Sequence, residues 1–484
     1  MTRLFVEQVL QRCRQHPEQL ALFHVAEEEQ VTYAALYRRV AGVRANLQKA
    51  GISKGDAVIL AASRSFDFIY LYLALHSLGA VTVPLDPRTP ESRYTTIVRL
   101  VQPGLCAWPD GSMPGSVPLS EFREESVEEI PAPAPEPTDC ADIMFTSGTT
   151  GVPKGVLLTH SNLRAAIQNI NGYIGNTADD VEICPMPLSH SFGLARLRCA
   201  LHAGGTILFE DGITKPRRLF DAMEKMRVTG IGMVGPAWVM LHRLSGDRIG
   251  RFREQLRYVE LGSAPLSPEA KQHLAGLLPR THVCMHYGLT EASRAAFLDF
   301  HADGKHIASV GKASPLSEIA IFSSDGRRLA AGERGEVCVR GEMVCNGYLD
   351  ASQNKTAFFD GDFFRTGDEG SLDEEGYLYL HGRLKELINV GGEKVAPVDV
   401  EQLLDAMPGV QESACVGMPD PVLGETVAAF IVPEETTKPD TETLLTALKK
   451  ELEPYKVPRR IIVTDHLPRT LSGKIKRIEL KELL

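Results

Sequence analysis

No stretch of this chain approaches the roughly 18 consecutive apolar residues that a membrane-spanning helix requires, so no such helix is expected. There is no excess of basic residues. The formal net charge is -10, which argues against a general nucleic-acid binder, because phosphate backbones select basic surfaces. The nine cysteines are odd in number and no two are spaced as CxxC, so neither a disulfide framework nor a cysteine zinc site is expected. Buried thiols in a reducing compartment fit better. The N-terminus, MTRLFVEQVLQRCRQHPEQLALF, carries charges throughout and lacks a signal peptide's apolar segment. It reads as an amphipathic helix, and the expected location is the cytoplasm. Internal repeats are absent.

What is present is an alternation of elements. At 484 residues the chain exceeds one ordinary core, so two or more domains are expected. Helical periodicity marks Ala35–Ala50, closed by Gly51, and Phe66–Leu78. Short apolar strands are expected at Asp56–Ala61 and at Ala80–Leu85, the latter ending at Asp86-Pro87. This β-α-β rhythm predicts an α/β architecture with largely parallel sheets. Pro131–Pro137 (PAPAPEP) reads as a stiff linker. Glu318–Tyr348, with short strands and glycine turns, predicts a β-rich subdomain. The last hundred or so residues read as a small α+β unit, with helices at Val398–Leu404 and Thr441–Leu452 and strands at Ser413–Val416 and Thr426–Val432.

The most informative segment is residues 145–155, FTSGTTGVPKG, between apolar strands at Ile143–Phe145 and Val156–Leu158. Glycines let backbone N–H groups converge on an anion, hydroxyls add donors, and Lys154 adds positive charge. This is what a polyphosphate requires, although the Gly-Lys-Ser/Thr of a Walker loop is missing. A polar hairpin turn is the structural alternative, but a hairpin has no need of Thr146, Ser147, Thr149 and Thr150 together.

The segment resembles the phosphate loop of the AMP-forming adenylating enzymes, which include acyl-CoA synthetases, peptide-synthetase adenylation domains and luciferases. Five further motifs recur in that family's order: Gly79–Pro87 (GAVTVPLDP), Tyr287–Glu291 (YGLTE), Arg365–Gly370 (RTGDEG), Gly382–Glu401 (GRLKELINVGGEKVAPVDVE) and Leu467–Arg477 (LPRTLSGKIKR). The resemblance implies the acyl-adenylate-forming enzyme fold. That fold has a large N-terminal domain of layered α/β subdomains plus a β-rich subdomain (residues 1–383) and a small mobile α+β C-terminal domain (384–484). It also implies the reaction: ATP and a carboxylic acid give acyl-AMP and pyrophosphate, and the acyl group then passes to a thiol.

On this resemblance Thr146, Ser147, Gly148, Thr149, Thr150 and Lys154 surround the β- and γ-phosphates. Glu291 holds Mg²⁺, a hard cation suited to carboxylate oxygen, and Thr290 donates to the α-phosphate. Tyr287 stacks on adenine, with Gly262, Ser263 and Ala264 as the other wall. Asp368 and Arg383 take the ribose. Lys474 bridges the carboxylate and the α-phosphate, where negative charge develops. Lys385 falls at the hinge, and Gly391 and Gly392 line the thiol tunnel. Singly, each has a plain alternative: Asp368 as a turn residue, Tyr287 as core, Glu291 as a helix N-terminal carboxylate, Lys474 as a solvated charge. Their shared order favours the functional reading.

Pro187–Leu194 (PLSHSFGL) resembles the start of the acyl pocket. Where amino-acid adenylation domains carry an aspartate, this chain has Ser191, which argues against an amino-acid substrate. His190 is expected near the carboxylate. Met233, Trp238, Val259 and Leu261 are expected as apolar walls, His286 as a residue that shortens the pocket, and Arg294 as a lining residue. A buried arginine needs an anionic or hydrogen-bonding partner, which the substrate could supply; the alternative is that Arg294 points to solvent or pairs with a protein carboxylate. The expected substrate is a small acid, aromatic or bearing a second polar or anionic group. The acceptor is CoA or, as the alternative, the phosphopantetheine of a separate carrier protein, and the basic residues Lys449, Arg459, Arg460, Lys476 and Arg477 suit either. No carrier segment follows the lysine motif, so a stand-alone ligase is expected. A luciferase-like oxygenase and a non-catalytic scaffold are the competing classes.

Overall fold

The computed structural model describes residues 3–126, 135–147, 153–359, 362–391, 393–434, 439–470 and 474–484, and the expected alternation of strands and helices is present in them. The helix Phe66–Leu78 shows why. Ser65 caps its start by accepting the Phe68 N–H at 3.4 Å. Gly79, at φ 72°, ends it in the left-handed region that lacks a penalty only for glycine. Every residue of this helix except Asp67 is buried, so it is a core helix, apolar on all sides. The N-terminal segment behaves differently. Phe5–Gln15 buries Phe5, Val6, Val9, Leu10 and Cys13, the one-sided spacing of an amphipathic helix. All nine cysteines are free thiols and eight are buried. Among the described residues, no helix is long and apolar enough to cross a membrane.

By packing, the chain divides into two compact units, Met1–Ile319 with Val339–Phe364, and Ala320–Cys338 with Arg365–Leu484. The first unit contains two sheets that are mostly parallel. In the larger, six parallel strands run in the order His282–Tyr287, Tyr258–Gly262, Gly230–Val234, Val181–Cys184, Thr206–Phe209 and Leu20–His24, with antiparallel strands at both edges. The smaller has the order Val117–Pro118, Leu105–Trp108, Ala57–Ala61, Val81–Leu85, Cys140–Ser147 and Pro153–Thr159, parallel except for its last pair. Strands buried on both faces read as continuous apolar runs, which is why the sequence shows them so clearly. Part of the expected linker, Pro131–Pro137, lies outside the described residues.

A buried polar cluster fixes the strand that leads into the expected phosphate loop. Asp142, on Cys140–Ser147, is fully buried. It accepts from the Tyr72 hydroxyl at 3.0 Å, from Thr82 and from Arg198, and lies 3.0 Å from His76 Nε2. Burial alone would raise its pKa, but the Arg198 and His76 charges outweigh burial and hold it below the usual carboxylate range. The ring of His160 sits 5.2 Å from that of His76. Burial, aided by the His76 charge, pushes His160 down to about 3.

His160 thereby makes stability depend on pH in a defined direction. Above the unfolded value of about 6.5 both states are neutral; below it the unfolded chain gains a proton that the folded chain refuses until about 3. The stability from neutral His160 is therefore complete above pH 6.5 and is lost progressively as pH falls from there through the folded value. The loss reaches about 2 kcal/mol by pH 5. His160→Phe is expected to flatten the change in urea midpoint between pH 7 and pH 5 relative to the parent.

In the second unit, Ile388–Val390, Glu393–Val395, Val410–Asp420, Gly424–Pro433 and Arg460–Val463 form a sheet. Alternation along Gly424–Pro433 sends Val427, Ala429 and Ile431 into a core with Val400, Leu404, Leu444 and Leu448. It sends Ala428, Phe430 and Val432 to the other face, against Leu467 and Leu480. The helices Pro397–Asp405 and Thr441–Glu451 lie within two residues of their expected bounds.

Candidate active site

The expected phosphate loop and the hairpin alternative are compatible. Cys140–Ser147 and Pro153–Thr159 pair antiparallel, with Thr146 opposite Lys154 and Ser147 opposite Pro153. The hairpin strands are the scaffold on which Thr146 and Lys154 sit. Gly148, Thr149 and Thr150 lie outside the described residues.

Lys154 and Glu291 are drawn together by a residue that sequence reasoning missed. The Tyr348 hydroxyl donates to Glu291 Oε1 at 2.9 Å, and Lys154 Nζ lies 5.3 Å from the centre of the Tyr348 ring. Backbone pairing holds this arrangement: Val156 bridges Tyr348, Ala292 bridges Val344, and the Cys345 N–H donates to the Glu291 carbonyl at 2.8 Å. The available signal was an aromatic directly after a turn, Asn346-Gly347-Tyr348. Thr290 lies beside Glu291 in the segment after the strand His282–Tyr287 and is half-buried, whereas Tyr287, the strand's last residue, is buried.

Ser263, in the expected adenine wall between Gly262 and Ala264, has φ 64°, and Arg294 has φ 53°. Both are non-glycine residues in the left-handed region, where strain clusters at functional sites. Gly262 answers a different demand. A Cβ there would lie 2.1 Å from the His286 ring, so only glycine lets that ring cross the strand end.

The His286 ring belongs to a buried charged cluster. Its Nδ1 lies 2.7 Å from Glu260 Oε1. Arg294 Nε donates to the same oxygen at 3.2 Å, and Arg196 donates to Glu260 Oε2 at 3.1 Å. Arg196 also pairs with Glu182, which accepts from the Tyr258 hydroxyl at 2.7 Å. Phe192 completes the cluster, 4.7 Å from the His286 ring and 4.8 Å from the Arg294 guanidinium. Two carboxylates therefore balance two guanidiniums. Burial and the Arg294 charge push the His286 pKa down, which keeps its ring neutral near pH 7.

The expected acyl wall divides here. Met233 pairs in register with Leu261, and Leu261 with Met285, whereas Gly232 pairs with Glu260 and Glu260 with Cys284. Strand alternation thus places Met233, Val259 and Leu261 on the face opposite Glu260, and all three are fully buried. Sequence reasoning groups them with His286 and Arg294; the sheet separates them. Trp238 lies on the helix Gly235–Ser245, its ring 5.5 Å from that of His242. His190 directly precedes the helix Ser191–Ala203, in extended conformation and without a side-chain capping bond, and the helix carries Phe192, Arg196 and Arg198. Arg294 has its anionic partner within the protein. Glu260, also missed, was signalled by a lone charge inside the apolar strand YVELG.

In the second unit Asp368 and Arg383 come together. They are cross-strand partners, and Arg383 Nε lies 2.5 Å from Asp368 Oδ1. Thr366 Oγ1 accepts the Asp368 N–H at 3.0 Å and donates to the Val337 carbonyl at 2.7 Å. Lys385 is exposed in the turn that follows Leu378–Arg383. Arg477 donates to Glu386, next in that turn, at 2.9 Å and to Glu401 at 3.0 Å. Gly391 is exposed, at φ 63°; Gly392 lies outside the described residues. Lys474 is exposed.

Residues 9–349 match the family model described as AMP-binding enzyme, and residues 399–474 match the AMP-binding enzyme C-terminal domain. The chain is 31% identical to oxalate–CoA ligase of Arabidopsis thaliana, over 96% of this chain and 95% of that one. It is 30% identical to 4-coumarate–CoA ligase CCL1 of Humulus lupulus, over 96% and 90%. Among solved structures it superposes on ATP-bound MatB from Rhodopseudomonas palustris with a TM-score of 0.91 at 28% identity, covering 100% of this chain and 99% of that one. With MenE from Bacillus subtilis, in complex with ATP and magnesium ion, the TM-score is 0.88 at 28% identity, covering 98% and 99%. With both family models matched in order and CoA ligases aligned along nearly its whole length, the chain belongs to the AMP-binding enzyme family and is an AMP-forming acid–CoA ligase.

Proposed function

We propose that this ligase activates a compact carboxylic acid, short aliphatic or single-ring aromatic, and not a long-chain fatty acid. The observation that carries this reading is the His286 ring lying across Gly262, backed by the Glu260–Arg294 pair. On the family resemblance, His286 lies at a lining position of the acyl pocket, where its ring would shorten the space open to an acyl chain. Because Glu260 already satisfies Arg294, the site does not demand a second carboxylate on the substrate.

Catalysis here is positioning and charge stabilisation. Lys154 and the hydroxyls of Thr146, Ser147, Thr149 and Thr150 hold the β- and γ-phosphates. Glu291, a hard oxygen donor oriented by Tyr348, fits Mg²⁺, which when bound neutralises phosphate charge. Thr290 donates to the α-phosphate. Tyr287 and Gly262–Ala264 hold adenine, and Asp368 and Arg383 hold the ribose. His190 orients the acid while its carboxylate oxygen attacks the α-phosphorus and pyrophosphate leaves. Lys474 meets the charge that develops there. A boundary at residues 383 and 384, with Lys385 as hinge, lets the small domain reorient, and Gly391 and Gly392 line the path along which the CoA thiol reaches the acyl carbon. The C–S bond forms, AMP leaves with the acyl–oxygen electron pair, and the thiol proton passes to solvent.

The test is AMP release with Mg-ATP and CoA across short aliphatic, dicarboxylic, benzoic, phenylacrylic and long-chain acids. Compact acids are expected to support turnover. His286→Gly is expected to shift preference toward longer acids, by about 10-fold or more in the ratio of kcat/KM values. Parental preference for long unbranched chains would overturn the reading.

A further inference from the structure

Beside Trp238, three side chains of the first unit converge that have no role in the mechanism above. His242 lies near the end of the helix Gly235–Ser245, Asp247 just beyond it, and His273 on the helix Pro268–Leu277. His242 Nε2 is 3.0 Å from Asp247 Oδ1, His273 Nε2 is 2.9 Å from the same oxygen, and the two Nε2 atoms are 3.2 Å apart. Among the described residues this is the one group of three or more His, Cys, Asp or Glu side chains with ligand atoms this close together.

Without a cation, one proton arrangement avoids a bare lone-pair contact: both Nε2 atoms carry hydrogen and both donate to Asp247 Oδ1, which crowds two donors 3.2 Å apart onto one oxygen. If only one carries hydrogen, the other ring's lone pair faces the carboxylate oxygen. If neither does, all three contacts are between lone pairs. A cation bound by all three atoms relieves the crowding, because each then directs a lone pair at it. The dimensions agree. An ion about 2.0–2.1 Å from each atom, the usual zinc–ligand distance, would sit about 1 Å outside their plane. Three ligands on one side leave a further position open to water. Two imidazoles and a carboxylate select a transition-metal dication over Mg²⁺, which prefers oxygen alone.

We propose that His242, Asp247 and His273 form a surface site for a transition-metal dication such as Zn²⁺, which clamps the two helices together. The site is open to solvent: the three side chains are 40%, 60% and 44% exposed. Trp238, one turn before His242 and one of only two tryptophans, provides a reporter 5.5 Å away.

The experiment uses the full chain, stripped by chelator and free of nucleotide, titrated with Co²⁺ and then with Zn²⁺. The expected result is one saturable Co²⁺ per chain, visible d–d absorption without a thiolate charge-transfer band, quenched tryptophan emission, displacement by Zn²⁺ and a raised Tm. His242→Gln and His273→Gln are each expected to weaken binding by at least about 10-fold, while His466→Gln, an exposed histidine of the other unit, leaves it unchanged. Circular dichroism establishes that each variant is folded. Absence of saturable binding, or binding that survives both His242→Gln and His273→Gln, would overturn the proposal.

Discussion

Lys474→Ala is expected to slow acid-dependent pyrophosphate release by about 10²–10³-fold, the scale seen when one donor to developing charge is removed. The ammonium is a compact charge with three donors, suited to oxygens of two anions at once. Its loss should leave folding intact. Lys474 is exposed, and its backbone is tied to Thr470 in both directions: its N–H donates to Thr470 Oγ1 at 3.1 Å, and its carbonyl accepts the Thr470 N–H at 2.7 Å. The Tm should therefore match the parent. Thioester formation from synthetic acyl-adenylate and CoA should also persist, since no α-phosphate is attacked in that step. Parental pyrophosphate release by the variant would show that another group carries the charge.

Glu260→Ala is expected to cost about 3–5 kcal/mol of stability, read from urea unfolding, because it removes a carboxylate from between two buried guanidiniums. Glu182 still pairs with Arg196, but Arg294 loses its carboxylate partner. Removing that second charge as well should recover much of the loss. The double variant Glu260→Leu/Arg294→Met is expected to be more stable than Glu260→Ala, since an apolar replacement of a buried pair is often neutral. Strictly additive losses in the corresponding double-mutant cycle would show that the two side chains are not coupled.

These two residues mark the limit of what the sequence discloses. The expectation for Lys474 rests on a local motif: a short run of residue types, in order with five other motifs. Glu260 is visible only as a charge in an apolar strand, and nothing nearby in the chain names its partners. Arg294 is 34 residues away and Arg196 is 64. Tyr348 reaches Glu291 across 57 residues. The family resemblance groups Met233, Val259 and Leu261 with His286 as acyl-pocket residues, but the faces to which they point depend on register between strands.

By itself the sequence determined the helices, the strands and the reaction class. Caps such as Ser65, the terminating Gly79, the apolar periodicities and the ordered motifs are all set by neighbours along the chain. Tertiary structure alone decided that Arg294 meets a protein carboxylate, that His286 lies over Gly262, and that His242, Asp247 and His273 converge. Each of those is a contact between distant segments, fixed by strand register and helix packing, which local propensity does not encode.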